Sequence, residues 1–245
     1  MPQQLCCLTR PFRPLFIDQM TIKAAIFDFD GTLIDSEENY LHADQRLLSK
    51  YGINFTKEMK ADYIGMGNSE MMRKIKDNFN IPDSAEKLLQ FKNEIYLEIA
   101  KKNTPVYPKM VELVKELHKK RIPLAIASGT SPQVLNELLR VTSLAKYFLV
   151  VISSEEVARA KPEPDIFLEA AKRLKITPAH CLVVEDSQYG VEAGKKAGMM
   201  VVAVPYLANP PLAPSFHKAD LLFSTGMSAF ESKKVLRWIE CFDAP

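Results

Sequence analysis

Six short apolar runs recur along the 245-residue chain, at 22–27, 122–127, 147–152, 181–184, 199–204 and 219–223. A run this short and this apolar reads as a strand buried on both faces. Between the runs lie stretches with helical spacing, at 109–120, 132–139, 164–174 and 188–197. Strands that alternate with helices need crossover connections, so the expected fold is α/β, a parallel sheet with helices on both faces. Ligands of such sheets bind outside the carboxyl ends of the strands.

The alternation breaks once. From 36 to 104 the pattern is helical throughout, with apolar residues three to four apart at 37–50, 69–78 and 84–101. Asp83-Ser84 suits a helix start, and Thr104-Pro105 and Pro108 mark the return to the sheet. The expected organisation is a helical insertion at 36–104 and a core made of 20–35 and 105–245. A terminal helix at 233–242, with Trp238 and Cys241, is expected to pack on the core. Residues 1–19 carry three prolines and no clean period, and Arg10, Pro11, Arg13 and Pro14 interrupt any signal-peptide core. They are expected to form a disordered tail.

A net charge of +2 gives no electrostatic case for nucleic acid or a membrane surface. No apolar run approaches the roughly 20 residues of a bilayer span. Cys6, Cys7, Cys181 and Cys241 have no metal-type spacing and read as free thiols in a reducing cytoplasm. The expected partner is a small molecule, and the expected state a monomer or weak homo-oligomer.

Chemistry concentrates at four strand ends. The first run delivers Asp28 and Asp30, and Gly31 then permits a sharp turn. Two carboxylates this close repel unless a cation or shared proton relieves them, and they suit one acid attacking while the other moves a proton. The second run opens into Ser128-Gly129-Thr130-Ser131-Pro132, with Ser131 placed to cap a helix and Pro132 to begin it. A hydroxyl and free amides there form a phosphate cradle, although a capped turn without ligand looks the same. Lys161-Pro162-Glu163-Pro164-Asp165 fixes a lysine between prolines; its plain reading is one more solvated lysine. Glu185 and Asp186 follow the fourth run, and Asp186 or Ser187 suits a helix cap. Acids from two strand ends make a hard, all-oxygen site that suits magnesium.

In this order, DFDGTLIDSE, SGTS, KPEPD and VEDSQYG resemble the haloacid dehalogenase superfamily in its phosphatase branch. The resemblance spans roughly 22–223. It implies a Rossmann-like core and looks closest to the subgroup with a helical cap, which includes phosphoglycolate, sugar-phosphate and pseudouridine-phosphate phosphatases and β-phosphoglucomutase. It further implies that Asp28 is the nucleophile and forms an aspartyl-phosphate, and that Asp30 is general acid and then base. By the same resemblance Ser128, the Gly129 amide and Lys161 hold the phosphoryl group. Asp28, the Asp30 carbonyl, Glu185 and Asp186 would hold Mg2+. An acid at Asp30 sets this branch apart from the true dehalogenases.

The sugar mutases of the superfamily use a cap histidine where this chain has Tyr40, and a cap-loop arginine near Asn68. His42 lies two residues on, toward another face of its helix. Both differences favour hydrolysis over a mutase. A non-catalytic binding protein on the same fold is disfavoured because the acids and Lys161 are all present. Tyr40, Gly65, Asn68 and Lys92 are expected to select the leaving group; the plain alternatives are a helix connector for the loop and solvent for Lys92.

Overall fold

A computed structural model describes residues 21–63 and 66–243; the expected N-terminal tail, Cys6, Cys7 and Gly65 lie outside these. Six parallel strands form one sheet: β1 (Ala24–Phe27), β2 (Leu124–Ser128), β3 (Val150–Ser153), β4 (Cys181–Glu185), β5 (Met200–Ala203) and β6 (Leu221–Leu222). Their order is β3-β2-β1-β4-β5-β6, so the chain reverses its direction of travel at β1. The crevice at such a switch point is where open α/β sheets place ligands.

Side chains alternate across the sheet and both faces are covered. Phe27, Ile126, Val184 and Val202 face one layer, which includes α5 (Pro108–Lys119), α6 (Pro132–Val141) and α9 (Ser232–Asp243). Ala24, Ile26, Ala127, Val183 and Val201 face the other, with α7 (Asp165–Leu174) and α8 (Gln188–Lys196). The sequence placed β3 three residues early: Ala145–Tyr147 is a 3-10 turn instead, and Leu149 is exposed. β6, at the sheet edge, is only two residues long.

Between β1 and α5 the chain forms α1 (Glu37–Ser49), α2 (Lys57–Ala61), α3 (Asn68–Asn78) and α4 (Ala85–Ala100). α4 packs on both α1 and α3. The entering and leaving segments lie side by side: Ile34 bridges Val106, and the Tyr107 N–H donates to the Leu33 carbonyl at 3.0 Å. Apolar residues of the four helices continue the first sheet layer.

One ionic cluster lies inside these helices. Asp44 of α1 forms ion pairs with Lys60 of α2 and Lys92 of α4, each at 2.8 Å, one on each oxygen. All three side chains are buried. Burial alone would raise the Asp44 carboxyl, but the Lys92 and Lys60 ammoniums outweigh it and hold it below its ordinary value. Burial pushes the Lys92 ammonium from its ordinary 10.5 down to about 8, against the pull of Asp44.

Removing Asp44 leaves two buried ammoniums facing each other. Asp44→Ala should therefore cost about 3–5 kcal/mol, read as a lower urea midpoint at unchanged m-value. Lys92 also sets a pH dependence. Below about pH 8 both folded and unfolded chains hold its proton, and the burial cost is constant. Between about 8 and 10.5 the folded chain releases a proton that the unfolded chain keeps, so stability rises with pH. Urea midpoints at pH 7.5, 8.5 and 9.5 should show wild type gaining on Lys92→Met across the series; a constant gap contradicts this titration.

Candidate active site

Register decides which residues meet. Phe27 of β1 lies opposite Ile126 of β2 and Val184 of β4. The next residues up are Asp28 on the centre strand, Ser128 at the end of β2 and Glu185 at the end of β4, within a residue of one level. Three strands that are distant in sequence thus release their polar residues side by side.

Two glycines make room for the acids. Gly31 turns with φ +79°, and a Cβ there would overlap the Asp186 carboxylate. A Cβ at Gly190, in the first turn of α8, would overlap the Glu185 carboxylate. Ser187 caps that helix by accepting from the Gly190 N–H at 3.0 Å.

Lys161, on the loop after β3, is the cation in this cluster. Its ammonium donates to Asp28 Oδ1 at 2.6 Å, to Glu185 Oε1 and to the Ala127 carbonyl at 3.0 Å. Burial alone would lower its pKa, but the Asp28 and Glu185 charges outweigh it and raise it above the usual lysine range. Glu185 is saturated by the protein: its other oxygen accepts from the Asp186 N–H, the Ser187 N–H and the Ser187 hydroxyl. It does not line the cleft. Its geometric role is to anchor Lys161 and the turn at Asp186.

Asp28, Glu185 and Asp186 offer oxygens that lie within 4.8 Å of one another, all three buried. Burial, then the neighbouring acids, drives the Asp28 and Asp186 carboxyls well above their ordinary range, with Lys161 opposing. Four carboxyl groups, counting Asp30, against one ammonium form a set that favours a hard divalent cation, and the all-oxygen donors fit one. Asp28 and Asp186 have the oxygens best placed to meet it.

Asp30 belongs to a different network. Its Oδ2 accepts from Thr130 Oγ1 at 2.6 Å and from Ser128 Oγ at 3.2 Å, and Oδ1 has no hydrogen-bond partner. Burial raises its carboxyl, with the Thr130 hydroxyl opposing. Thr130 Oγ1 also lies 2.8 Å from the Tyr40 hydroxyl of α1, and Asn68 of α3 donates to that hydroxyl at 3.4 Å. A second bridge between insertion and core runs from Asn93 of α4 to Ser131 at 2.9 Å, and from Ser131 to Glu155. Ser131 stands at the helix cap position as expected but makes no capping bond, because its hydroxyl is used in this bridge.

The cleft is lined by Asp28, Asp30, Gly129, Thr130, Lys161 and Asp186 from the core, and by Glu37, Tyr40, Lys60, Tyr63, Met66, Asn68 and Met71 from the insertion. Tyr40 and Asn68 are therefore on its wall. Lys92 is not: it is neither at the wall nor in solvent, but buried against Asp44. His42 is exposed on α1. Ser128 is buried behind the cleft with its hydroxyl on Asp30. Sequence reasoning passed over Thr130, Glu37 and Lys60. Thr130 was visible as the second hydroxyl of the SGTS motif. For Lys60 the one signal was Thr56, which caps α2 by accepting from the Met59 N–H.

Residues 25–204 match the family described as haloacid dehalogenase-like hydrolase. A phosphorylated carbohydrates phosphatase of Thermotoga maritima is 34% identical over 182 residues, 73% of this chain and 82% of that protein. Fructose-1-phosphate phosphatase of Escherichia coli is 30% identical over 182 residues, 74% of this chain and 96% of that protein. The crystal structure of β-phosphoglucomutase from Clostridium difficile superposes with a TM-score of 0.78 at 23% identity, over 91% of this chain and 99% of that one, a likeness of fold. With its acids at the ends of β1 and β4 and a serine at the end of β2, the chain belongs to the haloacid dehalogenase-like hydrolases.

Proposed function

We propose that the protein is a Mg2+-dependent phosphatase of a small phosphorylated metabolite, working through an aspartyl-phosphate on Asp28. The observation that carries this reading is the buried cluster of Asp28, Glu185 and Asp186 around Lys161, facing a cleft that Asp30 also lines. Relatives whose names make them phosphatases of sugar phosphates support the substrate class. The two described cysteines, Cys181 and Cys241, are free thiols, which suits a cytoplasmic setting. No helix among the described residues is long and apolar enough to cross a membrane.

A bound magnesium ion would be held by Asp28, Asp186 and the Asp30 carbonyl, with Glu185 supporting the site through Lys161 and the turn at Asp186, and would offset the repulsion between phosphate and carboxylate. Lys161 holds Asp28 Oδ1, which leaves the second oxygen to attack phosphorus in line with the leaving oxygen. The Gly129 amide and Lys161 stabilise charge on the transferring group, and Ser128, whose hydroxyl accepts from the Thr130 N–H and donates to Asp30, shapes the loop behind them. Asp30 gives its proton to the leaving oxygen and then takes one from the attacking water. Its raised carboxyl favours the protonated form that the first half needs.

Residues 36–104 act in this reading as a cap over the cleft. The Tyr40–Thr130–Asp30 chain joins cap to core through the acid–base residue itself, and Tyr40 with Asn68, both on the cleft wall, would meet the leaving group. Burial raises the Tyr40 phenol far above its ordinary value, with the Asp30 charge adding to this. Such a phenol stays neutral at working pH and does not replace the acid–base histidine of a mutase, which favours hydrolysis.

Phosphate release from a panel of sugar phosphates and other small phosphomonoesters should require magnesium and stop with chelator. Asp28→Asn should lower kcat by about four orders of magnitude or more, and Asp30→Asn by about 10²–10⁴. Interconversion of hexose 1- and 6-phosphates without release would overturn the hydrolase reading. Tyr40→Phe removes one hydrogen bond on Thr130 and should lower kcat/KM about 3- to 10-fold, the worth of a neutral hydrogen bond. The loss should fall mainly in kcat if the phenol acts through Asp30; an unchanged kcat removes that link.

A further inference from the structure

We infer that the substrate carries a second anionic group, a carboxylate or another phosphate, remote from the transferred phosphoryl and gripped by Lys60 on the cap wall of the cleft. This rests on the phosphatase reading for the identity of the first group, but its own evidence lies in the helical insertion.

The charges around Lys60 do not balance. Lys60 and Lys92 share the single carboxylate of Asp44, and each takes one of its oxygens. Among the described residues, no other carboxylate lies within ion-pair distance of either ammonium. Both lysines are buried, Lys60 at 6% exposure and Lys92 at 0%, so solvent does little to screen the surplus. Glu37 is the other acid in this part of the cleft, and its burial favours the neutral form, with Lys60 opposing. A buried, uncompensated charge costs several kcal/mol.

The surplus has an outlet. Lys92 is sealed in, but Lys60 lines the cleft that Asp28 and Lys161 share. An ammonium has three N–H donors. Those of Lys60 meet one Asp44 oxygen at 2.8 Å and the Met71 sulfur at 3.8 Å, a weak acceptor, above the Tyr40 ring at 5.6 Å. That leaves donor capacity toward the cleft. A sugar hydroxyl could accept a hydrogen bond there but would not neutralise the charge; an anion does both. The cleft thus has a cation on each wall, Lys161 on the core side and Lys60 on the cap side. The two suit the two ends of one doubly anionic molecule.

The test compares matched esters that differ in the distal group. 3-Phosphoglycerate is set against glycerol 3-phosphate, and fructose 1,6-bisphosphate against fructose 1-phosphate, with full-length protein and magnesium. In wild type the anion-bearing member of one pair should lead in kcat/KM by about 10- to 100-fold, the worth of a charge-assisted hydrogen bond. Whichever pair shows it distinguishes carboxylate from phosphate. Lys60→Met should bring that ratio to within about twofold, and Lys60→Arg should keep most of it. Lys60→Met leaves Asp44 and Lys92 paired one to one and is expected to fold; a melting curve checks this. A wild-type ratio near one in both pairs overturns the inference whatever the variants do, and so does an unchanged ratio in folded Lys60→Met.

Calorimetric binding of the same pairs to Asp28→Asn separates this from the phosphatase reading. Preference for the anion-bearing member there, with no turnover in wild type, sustains the Lys60 site and sinks the phosphatase. Turnover without any such preference does the reverse.

Discussion

Carboxylates crowded around one ammonium make the central constraint of this molecule. Asp28, Glu185 and Asp186 share a buried space, and Lys161 touches two of them. Left to themselves, the charges would push the strand ends apart or take up protons, as the raised carboxyls of Asp28 and Asp186 show. The fold is arranged to hold them. β1 lies between β2 and β4, so that acids from two parts of the chain arrive at one level. Gly31 and Gly190 give up their side chains to the carboxylates of Asp186 and Glu185. Glu185 is clamped by two amides and a hydroxyl as well as Lys161, which makes it the fixed point from which Lys161, and through it Asp28, is aimed.

The sequence made this part legible because its signals are local. A strand buried on both faces must be short and wholly apolar, so its end is visible, and a polar residue immediately after it has one place to go. Asp28, Ser128, Glu185 and Asp186 were found that way, and the order of the motifs carried the family. The helical insertion was legible as a block for a similar reason, since α1, α3 and α4 are long enough to show a period. What stayed hidden depends on tertiary contact. α2 has five residues, too few for a period, and Lys60 differs from other lysines only by what surrounds it. Lys92 was expected at the cleft or in solvent, and it is at neither because Asp44 draws it inward. Nothing in the composition of α1 marks Asp44 as a buried residue. Ser131 was read as a cap on position alone; Asn93 and Glu155, far away in sequence, take its hydroxyl.

Tyr40 joins the two halves of the site. Its ring stacks on Tyr96 at 3.9 Å between centroids, and the ammoniums of Lys92 and Lys60 lie 5.0 and 5.6 Å from its centre. Its hydroxyl meets Thr130, which holds Asp30. The residue therefore lies between the two ammoniums of the cap wall and, through Thr130, Asp30 on the core wall. A close-packed interior moves between discrete arrangements rather than bending smoothly. A ligand that draws Lys60 toward the cleft acts on the ring whose hydroxyl sets the pose of Asp30. In the proposed reading, recognition at one end of the substrate and proton transfer at the other share this one packed arrangement. The insertion accordingly shares its apolar core with the sheet rather than resting on it as a separate lid.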